Sequence, residues 1–68
     1  MPIVRVEFLA GRSQETKQKI AEEITATIVR HAGSEPPHVY VIFDDVAPNN
    51  WAVGGQFFKP AASPGGQI

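Results

Sequence analysis

Apolar and polar positions alternate over Ile3-Val4-Arg5-Val6-Glu7-Phe8-Leu9, which puts Val4, Val6 and Phe8 on one face and Ile3, Arg5, Glu7 and Leu9 on the other. A period of two predicts a strand. Ala10-Gly11-Arg12 turns the chain, and the period then changes. Ile20, Ala21, Ile24, Ile28 and Ala32 fall on one stripe at helical spacing, with Glu15, Gln18, Lys19, Glu22 and Arg30 opposite, so a helix is expected from about residue 14 to about residue 32. Ser13 can cap its first N–H groups, Glu15 complements the positive end of its dipole, and Glu15 and Lys19 stand in the favourable i,i+4 order. Gly33 is a natural C-cap, and Ser34-Glu35-Pro36-Pro37 ends the helix. A second apolar run, Val39 to Phe43 or slightly beyond, predicts a second strand. Ala47-Pro48-Asn49-Asn50 is turn chemistry, and Trp51 to Phe58 reads as a short hairpin around Gly54-Gly55. The tail over residues 59–68, with Pro60, Pro64 and Gly65-Gly66, is expected to be irregular.

Strand, helix, strand makes an α+β chain built on a single βαβ unit with a short C-terminal hairpin, its two main strands parallel and joined by a right-handed crossover. Residues 1–68 are expected to form one domain. A single helix covers one face of a two-stranded sheet, and such a sheet is marginal alone. The other face carries Ile3, Leu9, Ile42 and Tyr40. A chain of this size buries only about 60% of its extended surface, and with no cysteine it has no disulfide or thiolate metal site to reinforce it. Association of identical chains is the economical way to cover the open face.

Charge narrows the partners. The formal net charge is −1, and Arg5, Arg12, Lys17, Lys19, Arg30 and Lys59 are scattered among acids rather than gathered into a stripe, which argues against nucleic acid. The longest uninterrupted apolar run, Val39-Tyr40-Val41-Ile42-Phe43, is far shorter than the ~20 residues that span a bilayer. No basic segment leads into an apolar one at the start, so a cytoplasmic chain without membrane contact is expected. Ser13, Ser34 and Ser63 lack a nucleophile-elbow context, and neither Gly-Gly pair forms a phosphate loop.

The candidate chemistry begins at Pro2. Removal of Met1 would leave a secondary amine, and an α-amino group titrates at about 7.7–8.0, close enough to neutrality for a general base. Arg12 stands just before the helix cap, where the dipole disfavours a cation; it is either a solvated turn residue or a bidentate anchor for a carboxylate. Trp51, near Phe57 and Phe58, is either an oligomer anchor or an apolar wall that dries a site. His31 falls within the helical stripe and is expected at a core or interface position. His38, Asp44 and Asp45 show none of the recognised metal spacings, and Asp44-Asp45 is expected at a solvated strand end.

Taken together, Pro2 directly after Met1, a first strand running into Phe8-Leu9-Ala10-Gly11-Arg12-Ser13, one long helix, a second strand and then Asn50-Trp51-Ala52-Val53-Gly54-Gly55 resemble the 4-oxalocrotonate tautomerase family over roughly residues 2–58. The resemblance implies an isomerase, an intramolecular oxidoreductase that interconverts keto and enol groups of a small unsaturated 2-hydroxy or 2-oxo acid. It implies Pro2 as the catalytic base that carries a proton between the enol oxygen and carbon. Arg12 would bind the far carboxylate of the substrate, reaching the site from a neighbouring subunit. Trp51, where the namesake has Phe, and Leu9 would form the apolar pocket. No cofactor or metal is required. The implied assembly is a homohexamer, pictured as three dimers whose paired βαβ units build four-stranded sheets around a common core.

One position departs from the pattern. Where the namesake carries a second arginine for the other carboxylate, register places Tyr40, and a phenol donates one hydrogen bond but forms no charged bidentate clamp. A monocarboxylate enol or another conjugated acid is therefore the expected substrate. Two other functions stay open at this point: hydration or dehalogenation of unsaturated acids with Pro2 as an acid, and a non-catalytic oligomeric binding protein if Met1 is retained.

Overall fold

The computed structural model describes residues 1–59, so the irregular tail expected over residues 59–68 lies outside the described residues apart from Lys59. Strand β1 (Ile3–Leu9) leads into helix α1 (Gln14–Ala32), strand β2 (Tyr40–Val46) and a two-strand hairpin, β3 (Ala52–Val53) and β4 (Gln56–Phe57). Short 3-10 turns at Pro36–His38 and Pro48–Asn50 begin with the prolines that break the preceding segments.

The parallel ladder of β1 and β2 runs in strict register from Ile3 opposite Tyr40 to Leu9 opposite Val46. Strand alternation then sorts the side chains. Val4, Val6, Phe8, Val41 and Phe43 are half-buried on the side of α1, where the Phe8 and Phe43 rings stack with centroids 5.8 Å apart. Ile3, Tyr40 and Ile42 lie on the other side and remain 61%, 46% and 38% exposed. Covering an aliphatic or aromatic side chain contributes about 1.5–3 kcal/mol, so this open face leaves a large share of the chain's apolar stabilisation unused.

Both ends of α1 are set by the residues the sequence offers. Ser13 Oγ accepts from the Thr16 N–H at 3.1 Å, and Gly33, at φ 73°, closes the helix in the left-handed conformation with its N–H donating to the Val29 carbonyl. Ser13→Ala is expected to lower stability by about 1 kcal/mol, measured by thermal or denaturant unfolding at matched protein concentration, because association contributes to the stability of a chain that assembles. The hairpin turns on Gly54 and Gly55, at φ 61° and 82°, the two positive values that a tight primed turn requires.

Strand β2 runs to Val46 with Asp44 and Asp45 exposed near its end, as expected, and Asp45 pairs with Lys17 on α1. One sequence expectation is corrected. His31 and Ala32, assigned to the apolar stripe, are exposed, and His31 Nε2 accepts from Arg30 Nε at 3.3 Å. The reason is length: the 19 residues of α1 span about 28 Å against roughly 23 Å for the 7 residues of β1, so its last turn overruns the sheet it covers.

Candidate active site

Pro2 and Tyr40 meet where the sheet begins. The Tyr40 N–H donates to the Pro2 carbonyl at 3.0 Å, which extends the ladder one residue beyond β1 and fixes the backbone of Pro2. Pro2 itself is half-buried, and Tyr40 shares the open face with Ile3 and Ile42.

Leu9 and Arg12 stand where the sheet ends, and Trp51 lies at the same end in the segment that follows β2. Leu9 is only 4% exposed, the one buried apolar residue among the described residues. The segment after β2 turns back over this end of the open face, where Glu7, Val46, Asn50, Trp51 and Ala52 line an open groove of about 300 Å³. Trp51 is half-buried in that segment, and its carbonyl accepts from the Phe58 N–H at 2.7 Å, so the hairpin holds it in place. Arg12 is not a freely solvated turn residue. Its Nη1 donates to the Leu9 carbonyl at 3.2 Å, and its Cζ lies 4.7 Å from the centroid of the Phe8 ring. Planar stacking on an aromatic face suits a guanidinium, and it leaves donors of the fork available to an anion.

The five candidate residues therefore divide between the two ends of the sheet, with Pro2 and Tyr40 at one end and Leu9, Arg12 and Trp51 at the other. The 7 residues of β1, rising about 3.3 Å each, hold the two ends roughly 23 Å apart. No rotamer change of Arg12 bridges that gap, and a small acid that touched Pro2 could not touch Arg12 of the same chain.

Three features of this region escape a reading of the sequence. The platform that Phe8 offers Arg12 follows from a turn whose path the sequence does not specify. The stacking of Phe8 on Phe43 follows from register. The ion pair of Lys17 Nζ with Asp45 Oδ2, at 2.5 Å, had one available signal: Asp45 falls on the helix-facing side of the strand alternation. Among the described residues no group of three or more His, Cys, Asp or Glu side chains comes together, and no helix is long and apolar enough to cross a membrane.

The family model for tautomerase enzymes matches residues 2–61. A probable tautomerase of Ralstonia nicotianae is 45% identical over 58 residues, spanning 85% of this chain and 89% of that protein. The solved structure of a 4-oxalocrotonate tautomerase homologue superposes with a TM-score of 0.81 at 32% identity, covering 84% of this chain and 90% of that one. A heterohexameric 4-oxalocrotonate tautomerase from Chloroflexus aurantiacus superposes with a TM-score of 0.76, also at 32% identity, over 84% of this chain and 92% of that one. The βαβ unit and its hairpin thus have close counterparts in both sequence and shape, and the chain belongs to the 4-oxalocrotonate tautomerase family of the tautomerase superfamily, which makes it a tautomerase-type enzyme.

Proposed function

We propose that the protein interconverts the enol and keto forms of a small unsaturated 2-hydroxy acid, with the amine of Pro2, freed by removal of Met1, as the general base. The amine takes the proton of the 2-hydroxyl group and returns it to a carbon of the conjugated chain. Arg12 binds a carboxylate at the far end and draws electron density toward itself as the enol collapses. Trp51 and Leu9 supply apolar surface that keeps water from the amine, and partial burial favours its neutral, basic form. Tyr40 stands where a second carboxylate would otherwise be clamped.

The observation that carries this reading is the separation of Pro2 from Arg12 by the length of β1. Base and anchor belong to one site only if they come from different copies. The exposed Ile3, Tyr40 and Ile42 supply an apolar reason for copies to associate, and the hexameric relative from Chloroflexus supports an assembly of that order. We propose a homohexamer built as a trimer of dimers, in which each site takes Pro2 from one copy and Arg12 from a neighbour.

Tyr40 decides the acid. One phenolic donor cannot match a charged fork, so a monocarboxylate such as phenylenolpyruvate should be turned over in preference to the dicarboxylate 2-hydroxymuconate. Tyr40→Arg should raise the kcat/KM ratio of dicarboxylate to monocarboxylate by about tenfold or more, the scale of a hydrogen bond to a charged group. A wild-type enzyme that strongly prefers the dicarboxylate would refute this assignment of Tyr40.

A further inference from the structure

The one salt bridge among the described residues joins the first turn of α1 to the last residues of β2, at the end of the sheet from which Arg12 follows. Lys17 Nζ lies 2.5 Å from Asp45 Oδ2, with the two side chains 17% and 35% exposed. Asp45 is the register partner of Phe8, and Phe8 is the ring on which the Arg12 guanidinium rests at 4.7 Å. Register partners in a parallel pair point to the same face, and neighbouring strands are about 4.8 Å apart. The Asp45 backbone thus stands one strand away from the residue whose ring carries Arg12, which puts a carboxylate on the same face and at the same end of the sheet as a fork shaped to bind one.

Left without a cation, Asp45 would be a resident competitor for any substrate carboxylate. Lys17 removes that competition. It reaches the acid from the first turn of α1, at a point set by the Lys17 N–H bond to the Ser13 carbonyl at 3.1 Å and by the Ser13 cap. Arg12 keeps a neutral carbonyl, that of Leu9, as its polar partner, a weaker hold than a carboxylate would be. We propose that Lys17 is a positioning residue that occupies Asp45 and thereby keeps Arg12 available for the carboxylate of the substrate. This rests on the reading of Arg12 as the carboxylate anchor.

The test separates charge competition from simple stabilisation. Lys17→Met keeps the apolar stem and frees the acid; Asp45→Asn breaks the same ion pair without leaving a free carboxylate; the double variant removes both charges. Binding of phenylpyruvate to the assembled protein is measured by calorimetry, and KM and kcat are measured with phenylenolpyruvate, with Arg12→Ala as the reference. Lys17→Met should weaken binding and raise KM about fivefold, the upper scale of a partly exposed ion pair, with kcat nearly unchanged. Asp45→Asn and the double variant should stay within about twofold of the wild type. Should Lys17→Met fail to fold, Lys17→Gln carries the same expectation.

Equal losses in Lys17→Met, Asp45→Asn and the double variant would mean a merely structural pair and overturn the proposal. So would unchanged binding by Lys17→Met while Arg12→Ala binds weakly. Unchanged binding by Arg12→Ala would instead refute the role of Arg12 itself, and this inference with it.

Discussion

A chain that retains Met1 should turn over enol acids about 10²–10⁴-fold more slowly than one that begins at Pro2, the range over which general acid–base catalysis contributes. The chemistry is binary. Behind Met1 the nitrogen of Pro2 is a tertiary amide, planar and without a basic lone pair; without Met1 it is a secondary amine attached to a half-buried residue whose carbonyl is tied to Tyr40 at 3.0 Å. Loss of one residue leaves that hydrogen bond, and the register that starts from it, in place. Two chains made by chemical synthesis, one starting at Met1 and one at Pro2, provide the comparison, with circular dichroism and sedimentation confirming that both fold and assemble alike. Equal kcat values would remove Pro2 as the base.

Arg12→Ala should lower kcat/KM about 10–100-fold, since hydrogen bonds to a charged group contribute about 1.5–3 kcal/mol each to binding. Both KM and kcat should move. KM rises because the carboxylate loses its fork, and kcat falls because the cation also stabilises charge that develops during proton transfer. The folded chain also loses the guanidinium on Phe8 and its bond to the Leu9 carbonyl. A cation resting on a half-buried ring is worth about 0.5–2 kcal/mol, so the cost to the fold is no larger than the cost to catalysis. Arg12→Lys should recover part of kcat but little of KM, because an ammonium keeps the charge and loses the planar fork. A wild-type KM in Arg12→Ala would contradict the anchor.

The fold was legible in the sequence because its elements obey clean periods. Alternation over Ile3–Leu9, the stripe from Ile20 to Ile28, the Ser13 cap, the Gly33 stop and the Gly54-Gly55 turn each predict a feature that stands where expected. The exposed acids Asp44 and Asp45 near the end of β2 were legible too, but the partner of Asp45 was not, because Lys17 is 28 positions away. His31 and Ala32 fit the helical stripe, and the shorter sheet leaves them uncovered.

The candidate residues were legible singly, and the separation of Pro2 from Arg12 was legible in the strand predicted between them. That Tyr40 is bonded to Pro2 was not, because it follows from the register of the parallel pair. Nor does any local pattern place Arg12 over Phe8. Those placements leave Pro2 and Arg12 at opposite ends of β1, and on the proposed mechanism they make association a condition of the chemistry as well as of covering the open face.

Mixing two defective chains tests that condition most directly. One parent carries Arg12→Ala, and the other has an intact Arg12 but a Pro2 nitrogen blocked by Met1. Each is assayed alone with phenylenolpyruvate, then the two are unfolded together in equal amounts, refolded and assayed again. If each site takes its base from one copy and its anchor from another, random assembly restores about one quarter of the sites and a similar fraction of wild-type activity. A mixture no more active than the average of its parents would contradict a site shared between copies.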